Sequence, residues 1–252
     1  METEKLYYEE MGTGTPVVCL HGYPLDHTIW LDMARELADE ARVILPDLRG
    51  HGESSVPQGP YSMQVMAADV VRLLDELGIE RAAVFGHSMG GYVGLGFARH
   101  FPERLLGLGL VASRAFADSP EKRAVRRQTI PLVLENGVGL LTGMAENLTD
   151  DEALQEEMRA MILRAHPQGV AGVLHAMGAR PDDMDMLAKQ PVPVAVIAGA
   201  EDRIVSLDRS HAMRDVLPKG HYFELPAGHM PMLEAPAATV EALRSALGVF
   251  GE

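Results

Sequence analysis

The fold is decided by the stretch Arg81-Ala82-Ala83-Val84-Phe85-Gly86-His87-Ser88-Met89-Gly90-Gly91. An apolar run leads directly into the pattern Gly-x-Ser-x-Gly, and a helical pattern follows at once. This order predicts a strand, a tight turn and a helix, which is the context of the nucleophile-elbow motif. Gly86 and Gly90 flank the serine because so tight a turn leaves no room for Cβ atoms there. The stretch therefore predicts that Ser88 lies in a strained conformation between a strand and a helix N-terminus.

Strand and helix patterns alternate on both sides of this stretch. Short apolar runs predict the other strands: Leu6–Glu9, Pro16–Leu20, Arg42–Pro46, Leu105–Ala112, Val192–Ala198 and His221–Leu225. Helical spacing lies between them, as in the helix that Ser62 caps and Gly78 ends. Alternation of this kind predicts an α/β fold, with a mostly parallel sheet and helices on both faces.

The alternation stops between residues 113 and 190. Only helical patterns occur there, and they cover Pro120–Glu135, Asp151–Ala165 and Gly169–Met177. We interpret 113–190 as a helical lid that is inserted into a core formed by 1–112 and 191–252. A chain of 252 residues suits one α/β domain with such an insertion.

Composition excludes several classes of protein. The net charge of −14 argues against binding to nucleic acid or to an anionic membrane, since either would need a basic face. Cys19 is the single cysteine, so no intrachain disulfide can form and nothing indicates an oxidising compartment. The N-terminus lacks the pattern of a signal peptide, and no apolar run approaches the roughly 18 residues of a membrane span. These features predict a cytoplasmic protein.

A serine hydroxyl needs a base within hydrogen-bond reach and an acid that orients the base. In parallel sheets such groups collect at the carboxyl ends of the strands. His229 follows the last predicted strand by a short turn, and Asp202 follows the strand before it. We therefore predict His229 as the base and Asp202 as the acid. Glu201 and Asp118 are the weaker alternatives for the acid.

The developing oxyanion needs two preorganised N–H donors. Met89 follows the nucleophile at a helix N-terminus, so its amide is the first predicted donor. The second is expected in the loop after Pro16–Leu20, where Pro24 has no N–H and Gly22 or Tyr23 remains. We favour Tyr23, because a residue that precedes proline is held extended.

Five segments together resemble the α/β-hydrolase superfamily over nearly the whole chain. They are His21-Gly22-Tyr23-Pro24, Asp47-Leu48-Arg49-Gly50-His51-Gly52-Glu53-Ser54, Gly86-His87-Ser88-Met89-Gly90-Gly91, Gly199-Ala200-Glu201-Asp202 and Gly228-His229. The resemblance implies a Ser-Asp-His triad, an acyl-enzyme intermediate, and neither metal nor cofactor. In this superfamily the second segment is largely a scaffold turn, and the lid selects the substrate.

Single residues distinguish the chemistries that this superfamily hosts. Ser88 excludes the haloalkane dehalogenases and epoxide hydrolases, which have aspartate at the elbow. His87 and Met230 weaken the case for carbon–carbon bond hydrolases, which tend to carry asparagine and tryptophan at those positions. The remaining pattern is similar to small carboxylesterases, perhydrolase-like enzymes and enol-lactonases. We predict a carboxylesterase that acts on small-molecule esters, with an enol-lactonase or a slow-turnover ligand receptor as alternatives.

Two residues are predicted to line the substrate pocket. Met230 follows the predicted base and, with other methionines, would form an adaptable apolar wall. Arg114 follows the strand Leu105–Ala112 and would hold a substrate carboxylate if it faces the pocket. The alternative is that Arg114 and the basic residues after it form the solvated face of a lid helix.

Overall fold

The computed structural model describes residues 3–218 and 220–250. Within them, seven strands form one sheet. The strands are β1 (Tyr8–Met11), β2 (Thr15–Leu20), β3 (Ala41–Pro46), β4 (Ala82–His87), β5 (Leu105–Val111), β6 (Val194–Gly199) and β7 (Gly220–Leu225). Their order across the sheet is β1-β3-β2-β4-β5-β6-β7. Only β1 runs antiparallel to its neighbour, so the predicted mostly parallel sheet is confirmed.

Eleven α-helices occur in the described residues. They are α1 (Leu31–Leu37), α2 (Met63–Glu76), α3 (Met89–His100), α4 (Pro120–Asn136), α5 (Ala145–Leu148), α6 (Glu152–Arg164), α7 (Pro167–Ala179), α8 (Met184–Leu187), α9 (Leu207–Val216), α10 (Pro231–Glu234) and α11 (Pro236–Phe250). Ser62 caps α2 as predicted, and its hydroxyl accepts a hydrogen bond from the amide of Val65.

Helices cover both faces of the sheet, as β5 shows. An added Cβ at Gly107 would collide with the ring of Phe250 from α11, whereas Leu108 contacts Gly94 of α3. Successive side chains of a strand point to opposite faces. Thus α3 and α11 lie on opposite sides of the sheet, and the core is divided between two layers.

The central strands are buried, which explains why they are continuous apolar runs rather than alternating ones. Every residue of β4 and of β6 is buried. Cys19 lies in this core, and burial raises the pKa of its thiol to about 12. Cys19 is therefore a core residue and not a reactive thiol.

Some element bounds differ from those that the sequence predicts. Helical spacing predicts a helix over about Ile29–Glu40, whereas the structure has a 3-10 helix over His27–Trp30 that continues into α1, because the Asp26 carboxylate caps the earlier turn. Spacing also predicts one last helix from about Glu234, whereas the structure has two helices, α10 and α11. They are separated at Ala235, whose backbone leaves the helical region before Pro236.

Between β5 and β6 the described chain forms only helices. These are α4 to α8 and a 3-10 helix over Val138–Met144, a segment that helical spacing did not predict. The role of 113–190 as a lid stays a prediction. No helix in the described part of the chain is both long enough and apolar enough to cross a bilayer.

Candidate active site

Ser88 lies between the end of β4 and the start of α3, with φ of 49° and ψ of −110°. A positive φ is costly for a residue with a Cβ, so the surrounding structure must impose it. Two hydrogen bonds hold the backbone of Ser88 in this conformation. The Ser88 amide donates to the carbonyl of Val111 at 2.9 Å, and the Ser113 hydroxyl donates to the carbonyl of Ser88 at 2.7 Å. The backbone of the predicted nucleophile is thus fixed on both sides.

The glycines of the motif allow two backbone segments to touch. A Cβ at Gly86 would lie 2.3 Å from the carbonyl carbon of Gly90, and a Cβ at Gly90 would lie 2.4 Å from the carbonyl oxygen of Leu20. Because both contacts are with backbone, no side-chain movement could relieve them. The sequence expectation that these positions exclude a Cβ is met, and α3 can begin directly against β2.

The structure brings together the three residues predicted as a triad. The Nε2 atom of His229 lies 3.0 Å from the Oγ atom of Ser88, and its Nδ1 atom lies 2.8 Å from Oδ2 of Asp202. The other carboxylate oxygen of Asp202 accepts hydrogen bonds from the amides of Ile204 and Val205 at 2.7 and 2.9 Å. The side chains of His229 and Asp202 are each only 1% exposed, so water does not compete for these contacts.

Two further side chains hold the main chain of His229. A carboxylate oxygen of Glu234 accepts from the amides of Gly228 at 2.7 Å and Met230 at 3.2 Å, one on each side of the histidine. His87 donates its Nε2–H to the carbonyl of His229 at 2.8 Å. The loop after β7 therefore presents His229 from a fixed backbone.

The loop after β2 lies against the elbow. A Cβ at Gly22 would be 2.6 Å from Nδ1 of His87 and 3.4 Å from Cβ of Ser88. Tyr23, the favoured second oxyanion donor, directly follows this contact. Met89, the other predicted donor, is the first residue of α3, where backbone amides have no partner within the helix. Their function as an oxyanion hole stays a prediction.

Three fully buried histidines surround this loop, and they are neutral. Burial lowers the pKa of His21, lowers that of His87 well below its usual value, and lowers that of His51 to about 3. His21 accepts a hydrogen bond from the amide of Leu48 through Nε2, so Nδ1 carries the proton and donates to the carbonyl of Gly22. The loop is thus held by a neutral imidazole.

The two residues predicted to line the pocket have different surroundings. Met230 is fully buried. Arg114 donates to the carboxylate of Asp118, which also accepts from Arg126 and Arg180. Asp118 was one of the weaker alternatives for the triad acid. Its carboxylate is instead paired with three guanidinium groups. The alternative of a solvated basic helix face describes Arg127, which is exposed, but not Arg114, whose side chain is 12% exposed.

One group of metal-ligating side chains occurs in the described residues outside the triad. Ligand atoms of Asp26, His27 and Asp47 lie within 4.8 Å of one another. Both ring nitrogens of His27 already bond to carboxylates, at 2.8 Å to Asp47 and 3.3 Å to Glu9. Asp47 also accepts from the amides of His27 and Glu53. These contacts identify the group as part of the loop scaffold.

Sequence reasoning missed several residues that act around the site. Ser113, Glu234 and Arg180 were given no role, Arg126 was considered only as one of the basic residues after Arg114, and His87 only as the neighbour of the serine. Glu234 carried no signal, because it accepts from backbone amides, which any residue type supplies. Arg180 carried none either, because its partner Asp118 is 62 positions away in the chain.

The fold and this geometry together define a class of protein. The family model described as alpha/beta hydrolase fold matches residues 15–141, which is half of the chain. The protein therefore belongs to the α/β-hydrolase family, and the resemblance found in the sequence is confirmed.

Relatives within this family include esterases and enol-lactonases. A solved structure of a thermophilic esterase from Thermogutta terrifontis, with malate bound, is 39% identical, covers 98% of this chain and 94% of its own, and has a TM-score of 0.95. The 3-oxoadipate enol-lactonase 2 of Acinetobacter baylyi is 29% identical, over 88% of this chain and 85% of its own length. The enol-lactonase structure from Burkholderia xenovorans is 25% identical, covers 97% of each chain, and has a TM-score of 0.89. The predicted enzyme class, a hydrolase of the carboxylesterase type, is consistent with these relatives.

Proposed function

We propose that the protein is a serine hydrolase that cleaves small carboxylic esters through an acyl-enzyme intermediate. Ser88 is the nucleophile, His229 the general base and acid, and Asp202 the residue that orients the imidazole. The observation that carries this proposal is the chain of two hydrogen bonds from Ser88 through His229 to Asp202, at 3.0 and 2.8 Å. That geometry meets the requirement for an activated hydroxyl.

In the first half-reaction, the Ser88 oxygen attacks the carbonyl carbon of the ester and its proton passes to Nε2 of His229. The tetrahedral intermediate collapses, the bond to the alkoxy oxygen breaks, and the imidazolium protonates the leaving alcohol. Asp202 accepts the Nδ1–H of His229 throughout, which keeps the lone pair of Nε2 directed at Ser88. A water molecule then repeats the attack on the acyl-enzyme, and the acid and free Ser88 are released.

The oxyanion of each intermediate would be bound by the amides of Met89 and Tyr23. Contact of the loop after β2 with Ser88 through Gly22, and the position of Met89 at the start of α3, support this assignment. Removal of one such donor typically costs about a hundred- to a thousandfold in rate.

The test is hydrolysis of p-nitrophenyl esters from acetate to decanoate by the wild-type protein and by Ser88→Ala. We expect turnover that is best for short acyl chains and is lost in the variant, since no other residue would form the acyl-enzyme. A serine-reactive phosphonate should add its mass to the peptide that contains Ser88. As a matched control, Ser62→Ala removes a hydroxyl from the cap of α2 and should leave turnover nearly unchanged.

Two outcomes would contradict the proposal. Labelling of another residue by the phosphonate would exclude Ser88 as the nucleophile. Absence of both a burst and steady turnover on every ester would favour the alternative of a slow-turnover receptor.

A second candidate substrate is an anionic enol-lactone. A lactone is a cyclic ester, so the same residues would open it by the same steps. Two relatives are named enol-lactonases, and the Thermogutta esterase was solved with malate, a dicarboxylate, bound. Comparison of kcat/KM for an enol-lactone carboxylate and for p-nitrophenyl butyrate distinguishes the candidates. A higher value for the lactone, lost in Ser88→Ala, would make it the preferred substrate.

A further inference from the structure

Three arginine side chains surround one buried carboxylate in the region that follows β5. We call Arg114, Arg126 and Arg180, with the carboxylate of Asp118 between them, the arginine cluster. Arg114 and Arg180 donate to Oδ1 of Asp118 at 2.7 and 3.2 Å, and Arg126 donates to Oδ2 at 2.5 Å. The cluster joins the segment after β5 to α4 and to the end of α7.

Charge within the arginine cluster is not balanced. Three guanidinium groups face one carboxylate, in a protein whose net charge is −14. The side chain of Arg180 is 3% exposed and that of Asp118 is fully buried, so solvent screens little of the excess positive charge. Although burial raises the pKa of Asp118, the hydrogen bond from Arg126 and the three positive charges lower it, and the carboxylate stays ionised.

Several buried N–H donors of the arginine cluster have no hydrogen-bond acceptor among the described residues. In the described part of the chain, no acceptor lies within hydrogen-bond distance of the buried Nε and Nη1 atoms of Arg180 or of the buried Nε of Arg114. A buried donor without a partner is costly, and a charged one more so. A single arginine would suffice to neutralise Asp118. The surplus of charge and of donors could satisfy a further anionic acceptor, which a simple ion pair could not.

Two contacts and one electrostatic interaction connect the arginine cluster to the proposed catalytic site. Arg114 directly follows Ser113, whose hydroxyl donates to the carbonyl of Ser88. The guanidinium of Arg180 stacks at 4.0 Å on the ring of Tyr92, which is one helical turn after Ser88. Burial raises the pKa of the Tyr23 phenol, and the positive charge of Arg126 opposes that rise.

We propose that the arginine cluster binds a carboxylate of the substrate, so that the preferred substrates are esters or lactones that also carry a carboxylate. Solvent reaches Arg114 and Arg126, whose side chains are 12% and 20% exposed, more than Arg180, whose side chain is 3% exposed. This inference rests on the proposed function, because it names the class of substrate for the same site. It assigns specificity to Arg114, which the sequence had suggested, and to Arg126 and Arg180, which it had not.

The experiment compares esters with and without a carboxylate. Mono-p-nitrophenyl glutarate carries the carboxylate on the acyl side, and its neutral counterpart is p-nitrophenyl butyrate. The ester 4-butyryloxybenzoate carries it on the alcohol side, and its neutral counterpart is methyl 4-butyryloxybenzoate. We expect kcat/KM for one of the two charged esters to exceed that of its neutral counterpart by about tenfold or more, as a charge-assisted contact supplies. The charged ester that is preferred identifies the side on which the carboxylate lies.

Arg126→Gln should remove most of this preference, mainly through KM, so that kcat/KM for the preferred charged ester falls by a larger factor than kcat/KM for its neutral counterpart. The matched control is Arg127→Gln, since Arg127 is the exposed neighbour on the same helix and the same charge is lost. The control should keep the preference. If Arg126→Gln and Arg127→Gln lower the rates of charged and neutral esters alike, the cluster only anchors the helices and the proposal is overturned.

Wild-type protein supplies a test that does not depend on the folding of a variant. Glutarate should inhibit p-nitrophenyl butyrate hydrolysis competitively, and glutaramide, its uncharged isostere, should inhibit at least about tenfold less. Equal inhibition by the two compounds would overturn the proposal. If no ester is turned over, the proposed function fails by itself, and the cluster is then tested by binding of glutarate to Ser88→Ala in a calorimeter, where no heat of binding would overturn it.

Discussion

At the scale of single residues, the main chain of His229 is held by two side chains that lie outside the proposed triad. Glu234 accepts from the amides of Gly228 and Met230, and His87 donates to the carbonyl of His229. The hydrogen bond that the Ser88 hydroxyl donates to His229 depends on where this backbone lies. Glu234 and His87 are therefore positioning residues in the mechanism that we propose.

Replacement of Glu234 should slow the chemical step and leave substrate binding nearly unchanged. In Glu234→Leu, the amides of Gly228 and Met230 lose their acceptor and the loop is free to move the imidazole away from Ser88, so we expect kcat to fall about ten- to a hundredfold. Glu234→Gln keeps one carbonyl oxygen as an acceptor and should recover part of the loss. Steady-state kinetics on p-nitrophenyl butyrate would measure both effects.

The matched control is Glu241→Gln, which removes a carboxylate from an exposed position of α11. It should leave kcat unchanged. A rise in KM with constant kcat in Glu234→Leu would contradict the positioning role, because it would indicate a contact with substrate instead.

The proximity of the three residues of the proposed triad was predictable because each follows a strand by a short turn, and strand ends meet at one edge of a parallel sheet. His87 and Glu234 were not, since their part is a hydrogen bond to a backbone atom, which leaves no pattern in the side-chain types. The arginine cluster was predicted in part. Arg114 could be placed because it follows its strand directly. Arg180 reaches Asp118 only when the helices pack together, and residue spacing does not predict that packing.

At the scale of elements, the elbow depends on direct contact between α3 and the end of β2. Gly90 lies at this contact, with the carbonyl oxygen of Leu20 only 2.4 Å from where a Cβ would be. Met89 precedes it and begins α3. The position of the proposed oxyanion amide therefore depends on how closely the helix approaches the sheet.

Gly90→Ala should separate these two elements. We expect it to lower the free energy of unfolding by about 1–3 kcal/mol, since the added methyl group meets backbone that cannot move aside. Activity should fall with it, because the amide of Met89 is displaced. Urea denaturation, followed by circular dichroism, and esterase assays would measure the two effects.

Gly248→Ala is the matched helical control for this prediction. No heavy atom lies within 4 Å of a Cβ built at Gly248 in α11, so the same change should raise stability by about 0.5–1 kcal/mol. Equal effects at positions 90 and 248 would show that helix propensity, rather than the contact with β2, explains the result.

Strands were easier to predict than helix bounds. Each buried strand is a short apolar run between turn residues, so β2 and β3 lie within one residue of their predicted starts. Helix ends depend on capping and on proline, as in the break between α10 and α11 at Ala235. Within 113–190 the 3-10 helix over Val138–Met144 has too many glycines for a periodic signal.

At the scale of the whole molecule, the buried histidines connect stability to pH. The folded-state pKa values of His21, His51 and His87 lie below the usual value of 6.5 because of burial. Between the folded and unfolded pKa values, the unfolded chain binds more protons, so stability decreases as pH falls below about 6.5. His27 acts in the opposite direction. Burial would lower its pKa, but the hydrogen bond and charge of Asp47 raise it, and its stabilisation is lost as pH rises through the raised value.

We expect the free energy of unfolding to fall steadily from about pH 6.5 to about pH 5, by about 1.4 kcal/mol per pH unit for each histidine that takes up a proton on unfolding. His51→Gln should make this dependence shallower by about one proton. His100→Gln changes an exposed histidine and should not. Urea denaturation at several pH values would measure the slopes, and identical slopes for wild type and His51→Gln would contradict the assignment of His51.

The overall topology followed from the alternation of elements, since crossover connections allow few arrangements of a parallel sheet. The run Leu6–Glu9 was expected to be a short edge strand, and β1 is at the edge, but its neighbour and its direction did not follow from the alternation. Its antiparallel pairing with β3, in the register Tyr8 to Pro46, places it at the sheet edge beyond the parallel strands. A short strand with mixed exposure carries too little pattern to specify its neighbour or direction.

The single carboxylate of Asp118 has a mechanical consequence for the helices that follow β5. Arg126 on α4 and Arg180 at the end of α7 both bond to it, so the two helices are fixed to one point. Movement of α4 alone would break the contact between Arg126 and Asp118, and movement of α7 alone would separate the buried Arg180 from its carboxylate. An outward movement that keeps both contacts would carry α4, α7 and the segment 114–118 together.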